Sequence, residues 1–431
     1  MKTATSLVIV LLLAGLMAGM FGCSSGEVAA KEIKIGVIGP MTQSIGPQQW
    51  DGAQMAADEI NNAGGVTIGK DTYTIKLLQY DSNEGASVTD AVNAVERAIT
   101  VDKVNFLTGS FRSEAASSMQ DIAVANKVIF LSTGAASVGL ATKVTNDYNK
   151  YKYWFRVMPT SGACMASDLA SALDMVAQKI RSTTGIATPK VALLFEKDVF
   201  GDGVLAGVQP QIPNLGLEVA GVWRPSPNAT DVTAELTAIE QSGAQIVCTC
   251  LTGPVGIPFA TGMNEMQIPA ASVGVNAEAG YDSFWDATSG KGDYAMNMSF
   301  FAIGVSNTNK TTQFLNEFTQ KFGTIPGFGA TTYDALYILK AALEKAGSLD
   351  PDAVVTALEQ TDYIGTTGHM AFTQNHDMGC GFGNVTYLCK EWQNGTMVGV
   401  WPPADGSWHG VKLQGIVDYQ IPPSVIARWK Q

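Results

Sequence analysis

Ile33-Lys34-Ile35-Gly36-Val37-Ile38-Gly39-Pro40 opens the part of the chain whose reading decides the fold. Ile33 to Ile38 reads as a buried strand, a short apolar run stopped by glycine and proline. A loop from Pro40 to Pro47 follows. Gln48 to Asn62 then carries apolar residues at helical spacing (Trp50, Ala53, Ala56, Ala57, Ile60) and stops at Gly64-Gly65. Tyr73 to Tyr80 is the next strand, with Ile75, Leu77 and Gln79 alternating against Thr74, Lys76 and Leu78. Further on, Ser87 to Val101 reads as a helix with Ala91, Val92, Val95 and Ala98 on one face. Val104 to Leu107 is a strand, Glu114 to Ala125 a helix and Val128 to Leu131 a strand. Strand, helix and strand in repetition predict a parallel sheet covered on both faces.

The rhythm pauses at the aromatic-rich stretch Tyr148 to Pro159 and then restarts. Ala163 to Arg181 reads as a helix. Val191 to Phe195, Leu217 to Val222, Ile246 to Cys250 and Ala271 to Val275 read as strands. Helices lie between them at Val199 to Gln209, Asp231 to Gln241 and Val255 to Met266. Two more helices, Thr312 to Phe322 and Ala330 to Ala346, precede a hairpin of Asn384 to Leu388 and Thr396 to Trp401, with Gly395 in the turn. Two βα series mean two α/β lobes. Parallel sheets of this kind bind ligands in the loops at the carboxyl ends of their strands, so two lobes facing each other make a cleft.

The composition sets outer limits. The chain has 431 residues, 46% of them hydrophobic and 15% charged, with a formal net charge of −12. That balance predicts a folded chain of two or three domains. A sequence pI near 4.8 leaves no basic face to neutralise phosphates, which excludes nucleic acid as a partner.

Catalytic hardware is missing. The sequence has no Gly-x-Ser-x-Gly elbow and no phosphate-binding loop ending in Gly-Lys-Ser/Thr. Gly201-Asp202-Gly203 is followed by Gly207, one position too late for a dinucleotide fingerprint, and reads as a tight turn at a helix start. The three histidines, His369, His376 and His409, are not at metal-ligand spacing, and no Cys-x-x-Cys occurs. No catalytic residue, metal or cofactor is therefore expected. His376-Asp377 reads as a solvated turn.

Ser6 to Gly22 is uncharged and almost wholly apolar, follows Lys2, and runs into Gly22-Cys23-Ser24-Ser25-Gly26. Residues 1–22 thus read as a secretory signal. Gly22-Cys23 resembles a prokaryotic lipobox, although Met20 stands where leucine is usual. The resemblance implies acylation of Cys23 and an exported protein, held by lipid at the outer face of the cytoplasmic membrane or in the periplasm. A plain cleaved signal and a retained anchor helix remain alternatives. Among the other cysteines, Cys380 and Cys389 flank a turn-rich stretch and suggest a local disulfide. Cys248 and Cys250 read as small core residues of a buried strand.

An exported α/β chain without catalytic groups points to binding. The opening from Ile33 to Gly46, then Trp50-Asp51-Gly52-Ala53 and Ala57-Asp58-Glu59-Ile60-Asn61-Asn62-Ala63-Gly64-Gly65, resembles the leucine/isoleucine/valine-binding protein family. These are type I periplasmic binding proteins of ABC importers. The likeness continues through Tyr80-Asp81, Gly109-Ser110, Phe155-Arg156-Val157-Met158-Pro159, Thr332-Tyr333-Asp334-Ala335-Leu336, Gly365-Thr366-Thr367-Gly368 and Trp392 to Pro402. It implies two Rossmann-like lobes with parallel central sheets, joined by a three-crossover hinge. The first lobe would be residues 33–157 plus 305–375, the second 158–304 plus 376–431. Closure around a ligand would present the loaded form to permease subunits.

The resemblance also implies a site. Ser113 matches the loop serine that grips a ligand carboxylate, and Gly134 with Ala136 match a second loop. Threonine is usual where Ala136 stands, so Ser137 or Thr133 would have to supply the hydroxyl. Phe200 falls where a second-lobe tyrosine is common, and Thr252 at another tyrosine position. The acid that pairs with a ligand ammonium falls near Asn276, with Glu278 two positions on. With Asn276 aligned, an ammonium would have no counter-charge in a closed site.

Arg112 is either a fork-shaped donor to a ligand carboxylate or a rim residue paired with Glu114. Trp50 either lines the cleft or packs within the first lobe. Tyr281, Phe284 and Trp285 either wall the second-lobe side of the cleft or belong to the core. The expected ligand is an amino acid or related small carboxylate or amide. Transport is the first reading, a ligand sensor on the same fold the alternative, and an exported enzyme using Asp81 or Glu278 a third.

Overall fold

The computed structural model describes residues 31–158 and 160–430. The expected signal segment and Cys23 lie outside the described residues. A first sheet holds six strands: β1 (Lys31–Gly39), β2 (Val66–Ile68), β3 (Asp71–Asp81), β4 (Phe106–Gly109), β5 (Ile129–Ser132) and β6 (Trp154–Arg156). Their order is β2-β3-β1-β4-β5-β6, and all pairings are parallel except that of edge strand β2 with β3. Val37 of β1 stands opposite Gln79 on one side and Thr108 on the other. Ile33, Ile35, Val37 and Ile38 are all buried, as a strand covered by helices on both faces requires.

A second sheet holds β7 (Lys190–Phe195), β8 (Glu218–Trp223), β9 (Ile246–Leu251) and β10 (Ala271–Asn276), all parallel, in the order β10-β9-β7-β8. After β11 (Met296–Ser299) come a small hairpin, β12 (Tyr363–Ile364) and β13 (His369–Met370), and then β14 (Leu388–Gln393) and β15 (Thr396–Trp401). Strands β11, β14 and β15 form an antiparallel sheet that packs beside β10. The chain passes to the second sheet after β6. It returns after β11 to helices Thr311–Phe322 and Gly329–Ala346, which pack on the first-sheet helix Ile45–Asn62, and passes again before β14. Gly52 marks the closest point of that helix pair. A Cβ there would sit 2.0 Å from the Gly329 carbonyl oxygen, so only glycine lets the backbones meet.

Several expectations shift. The first helix starts at Ile45 rather than Gln48, because Pro47 falls in the first turn, where no N–H is needed. The pause at Tyr148 is partly regular: a short helical turn, Tyr148–Tyr151, leads into β6. Gly201 to Gly203 lies inside the helix Val199–Val208, capped by Asp198, rather than in a tight turn. The first hairpin strand is Leu388–Gln393 instead of Asn384–Leu388, since Lys390 and Glu391 break its apolar pattern yet lie inside it. Helix Pro351–Leu358, with Asp350 as cap, goes unannounced by apolar spacing.

Two corrections concern chemistry. Cys380 is bonded to Cys164 rather than to Cys389, with Cα atoms 6.4 Å apart. Cys389 is a free, buried residue of β14, as are Cys248 and Cys250 of β9. His376 is no solvated turn residue either. It is fully buried, stacks on Phe155 with ring centres 3.9 Å apart, and bonds the Trp154 carbonyl and Glu359. Asp377 accepts from Arg156 Nε at 2.6 Å. The pair ties the last stretch of the chain to β6.

Candidate functional site

The carboxyl ends of β4 and β5 in the first sheet and of β7, β9 and β10 in the second face one cavity of about 750 Å³. That figure includes the cavity's open mouth. From the first-sheet side come Phe111, Arg112, Ser113, Gly134 and Ala136. Asp198, Phe200, Thr252 and Ala277 come from the second, with Tyr281, Asn297, Met298, Phe300, Phe328, Tyr387 and Lys390 completing the wall.

The first-sheet loop is built with care. Ser110 adopts a left-handed φ of 68°, a conformation rare for a serine, at the turn out of β4. Glu84, buried, then accepts from the backbone N–H groups of Phe111 (3.1 Å) and Arg112 (2.9 Å) and from the Ser82 hydroxyl (2.9 Å). Burial pushes its carboxyl up to about 7 despite those donors. Ser113 begins the helix Ser113–Ala125 at the cavity edge. Gly134 passes so close to this loop that a Cβ would lie 2.1 Å from the Ser110 carbonyl oxygen. Fully buried Arg156 fixes the second loop from behind, donating to the carbonyls of Ala135 (2.5 Å) and Ser137 (2.7 Å).

Arg112 faces the cavity, and acids take its guanidinium. Nη2 lies 3.1 Å from Asp198, Nη1 3.8 Å from Glu196 and Nε 3.9 Å from Glu114. Nη1 also donates to Thr252 Oγ1 at 3.3 Å, and Thr252 in turn bonds Glu196. Burial and the neighbouring Glu196 charge hold the Asp198 carboxyl above the ordinary range, against the pull of Arg112. The guanidinium is thus a bridge between strand-end loops of the two sheets.

Phe111, Phe328 and Phe300 form an aromatic wall. The Phe111–Phe328 and Phe300–Phe328 ring centres are each 5.4 Å apart in edge-on geometry. Lys390 is buried, with Nζ 4.9 Å above the Phe301 ring and 3.4 Å from the Gly280 carbonyl oxygen. Burial pulls its pKa down to about 8. Tyr281 Oη and Tyr387 Oη are buried without a hydrogen-bond partner among the described residues.

The cavity brings together Arg112, Ser113, Gly134, Ala136, Phe200 and Thr252 of the expected positions. Four others lie elsewhere. Trp50 is half-buried and packs on the first-sheet core. Ser137 caps the helix Val138–Asn146 through the Gly139 N–H. Asn276 turns its Nδ2 away to the Gly256 carbonyl at 2.9 Å, because its strand position points it toward the neighbouring helix. Glu278 begins a short helical turn outside the wall, with burial raising its pKa. Of the three aromatics left open, Tyr281 lines the cavity, whereas Phe284 and Trp285 pack against Trp392. Glu84 carries no signal in the sequence, whereas the ionisable pair Lys390-Glu391 inside an otherwise apolar strand is one for Lys390.

Among the described residues no helix is long and apolar enough to cross a membrane, and no cluster of three metal-ligating side chains occurs. A model of the family described as periplasmic binding protein matches residues 32–381. The Leu/Ile/Val-binding protein homolog 7 of Brucella abortus is 24% identical over 389 residues, covering 87% of this chain and 93% of its own. A branched-chain amino acid transporter substrate-binding protein of Streptococcus pneumoniae, solved with isoleucine, superposes with a TM-score of 0.70 at 20% identity, covering 85% of this chain and 98% of its own. A solute-binding protein of R. palustris, solved with benzoate, gives 0.68 at 14% identity, covering 85% and 95%. With two parallel sheets facing one cavity and a family match over most of its length, the chain belongs to the periplasmic binding proteins, a family of binding proteins rather than of enzymes.

Proposed function

We propose that the chain is an exported, Cys23-lipidated binding protein that captures an amino acid or related small carboxylate or amide and hands it to an ABC permease. The observation that carries this reading is the 750 Å³ cavity walled by strand-end loops of both sheets. Residues 33–157 plus 305–375 form one lobe and 158–304 plus 376–431 the other, and the lobes close on the ligand. Ser113, the Gly134–Ala136 loop, Phe200 and Thr252 contact it, and Arg112 holds the loops together across it. The isoleucine and benzoate complexes of related folds support a small carboxylate-bearing ligand. A thermal-shift screen of small polar metabolites tests the proposal. A true ligand at 100 times its dissociation constant adds about 2.7 kcal/mol. A folded chain stabilised by none of them would contradict it.

A further inference from the structure

Of the two cations among the described lining residues, Arg112 is paired with acids and Lys390 is not. Among the described residues no carboxylate oxygen lies within 4.0 Å of Lys390 Nζ. Asp282, the acid whose charge acts on it from farther away, accepts from the Ile325 N–H at 3.1 Å. A 3% exposed ammonium with one long bond to a carbonyl is an incomplete arrangement. Beside it stands Tyr281, the residue after Gly280, whose carbonyl Lys390 touches. Tyr281 is 7% exposed, lines the same cavity, and its hydroxyl has no partner among the described residues. A cationic donor and a phenol thus line the same cavity as the apolar side chains of Phe111, Phe300 and Phe328.

The opposite charge is treated differently. Asp198 is the one carboxylate among the described lining residues, and it already accepts from Arg112 and from the Gly201 N–H. Asn276, where an ammonium partner is expected, bonds the Gly256 carbonyl instead. Among the described lining residues an ammonium finds no spare anion, whereas a carboxylate finds a spare cation; Glu278, whose charge reaches Tyr281, stands outside the wall. A dianion such as phosphate would leave one charge uncompensated.

Resting on the binding-protein reading above, we infer that the cavity takes an apolar monocarboxylate without an α-ammonium group. Its carboxylate is held by Lys390 Nζ and Tyr281 Oη, and its hydrocarbon body lies against Phe111, Phe300 and Phe328. The carboxylate thus sits on the second-sheet side, away from the Ser113 loop.

Titration of the purified chain with leucine, 4-methylpentanoate and 4-methylpentanamide, and with phenylalanine, 3-phenylpropanoate and 3-phenylpropanamide, tests this. The simple carboxylate of one series should bind at least about tenfold tighter than its amino acid and its amide. Lys390→Met should abolish the preference for carboxylate over amide, and Tyr281→Phe should reduce it. An amino acid that outbinds its deaminated analogue, or a preference that survives Lys390→Met, overturns the inference. If Lys390→Met does not fold, an unchanged preference in Tyr281→Phe overturns it. A chain that binds no probe but releases, on denaturation, a small molecule that is not an apolar monocarboxylate also overturns it and leaves the binding-protein reading standing. A chain that binds none and releases none overturns both.

Discussion

Arg112 Nη2 stands 3.1 Å from the Asp198 carboxylate, so a residue after β4 of the first sheet is joined to one after β7 of the second. The contact is mostly buried, with 18% of the Arg112 side chain and 5% of the Asp198 side chain exposed. Removing one partner leaves uncompensated charge at the cavity mouth. Arg112→Ala should cost on the order of 3 kcal/mol in denaturant unfolding. Combined with Asp198→Asn, it should show a coupling above about 1 kcal/mol. Strict additivity would mean that the bridge does not hold the loops.

Glu84 acts on the site through the backbone of Phe111 and Arg112. Glu84→Ala leaves two loop N–H groups without acceptors and should weaken ligand binding by about tenfold, with stability falling by about 2 kcal/mol. Glu84→Gln, which keeps one acceptor oxygen, should lose less of both. Equal effects of the two variants in a titration would rule out this positioning role.

Phe328 contacts both Phe111 and Phe300 in the aromatic wall. Phe328→Ala opens the apolar side of the cavity, at a typical cost of about 3 kcal/mol in stability. Affinity for the released native ligand should drop by about ten- to a hundredfold. An unchanged dissociation constant would place the ligand elsewhere.

Burial raises Asp168 to about 6, Glu84, Asp198 and Asp334 to about 7, and Glu391 to about 8. Between their unfolded values near 4 and these folded values the native state binds more protons than the unfolded chain. Stability therefore falls as pH rises through that window. His376, lowered chiefly by burial, runs the other way at its own, lower pH. The net expectation is a melting temperature a few degrees higher near pH 5.5 than near pH 8. A melting temperature that rises over the same interval would contradict it.

The Cys164–Cys380 bond spans a sequence separation of 216 residues. Loop-closure entropy gives such a link on the order of 5 kcal/mol as a ceiling. Reduction or Cys380→Ser should lower the melting temperature by several degrees, whereas Cys389→Ala should leave the cross-linked peptide intact in non-reducing mass mapping. A Cys380–Cys389 peptide in that map would contradict the pairing.

The βα rhythm was legible because a strand buried on both faces must be a short apolar run, as Ile33 to Ile38 and Ile246 to Cys250 are. β14 is harder to place because Lys390 and Glu391, both buried, interrupt the apolar run by which a core strand is read. The Cys164–Cys380 pairing joins residues distant in sequence, and nothing local to either cysteine announces it. Ser113, Gly134 and Thr252 are reached by resemblance and Glu114 by its nearness in sequence, whereas Asp198 and Glu196, the other acids beside Arg112, come from another sheet. Asn276 shows the limit of that route: its position matched, but its amide turns toward Gly256.

Mass spectrometry of small molecules released when the purified chain is denatured tests the central claim most directly. The account predicts one small carboxylate, near one equivalent per chain, with an apolar body and no amino group. Its re-addition should stabilise the wild type and stabilise Lys390→Met far less. A chain that releases nothing and is stabilised by no small molecule would contradict it.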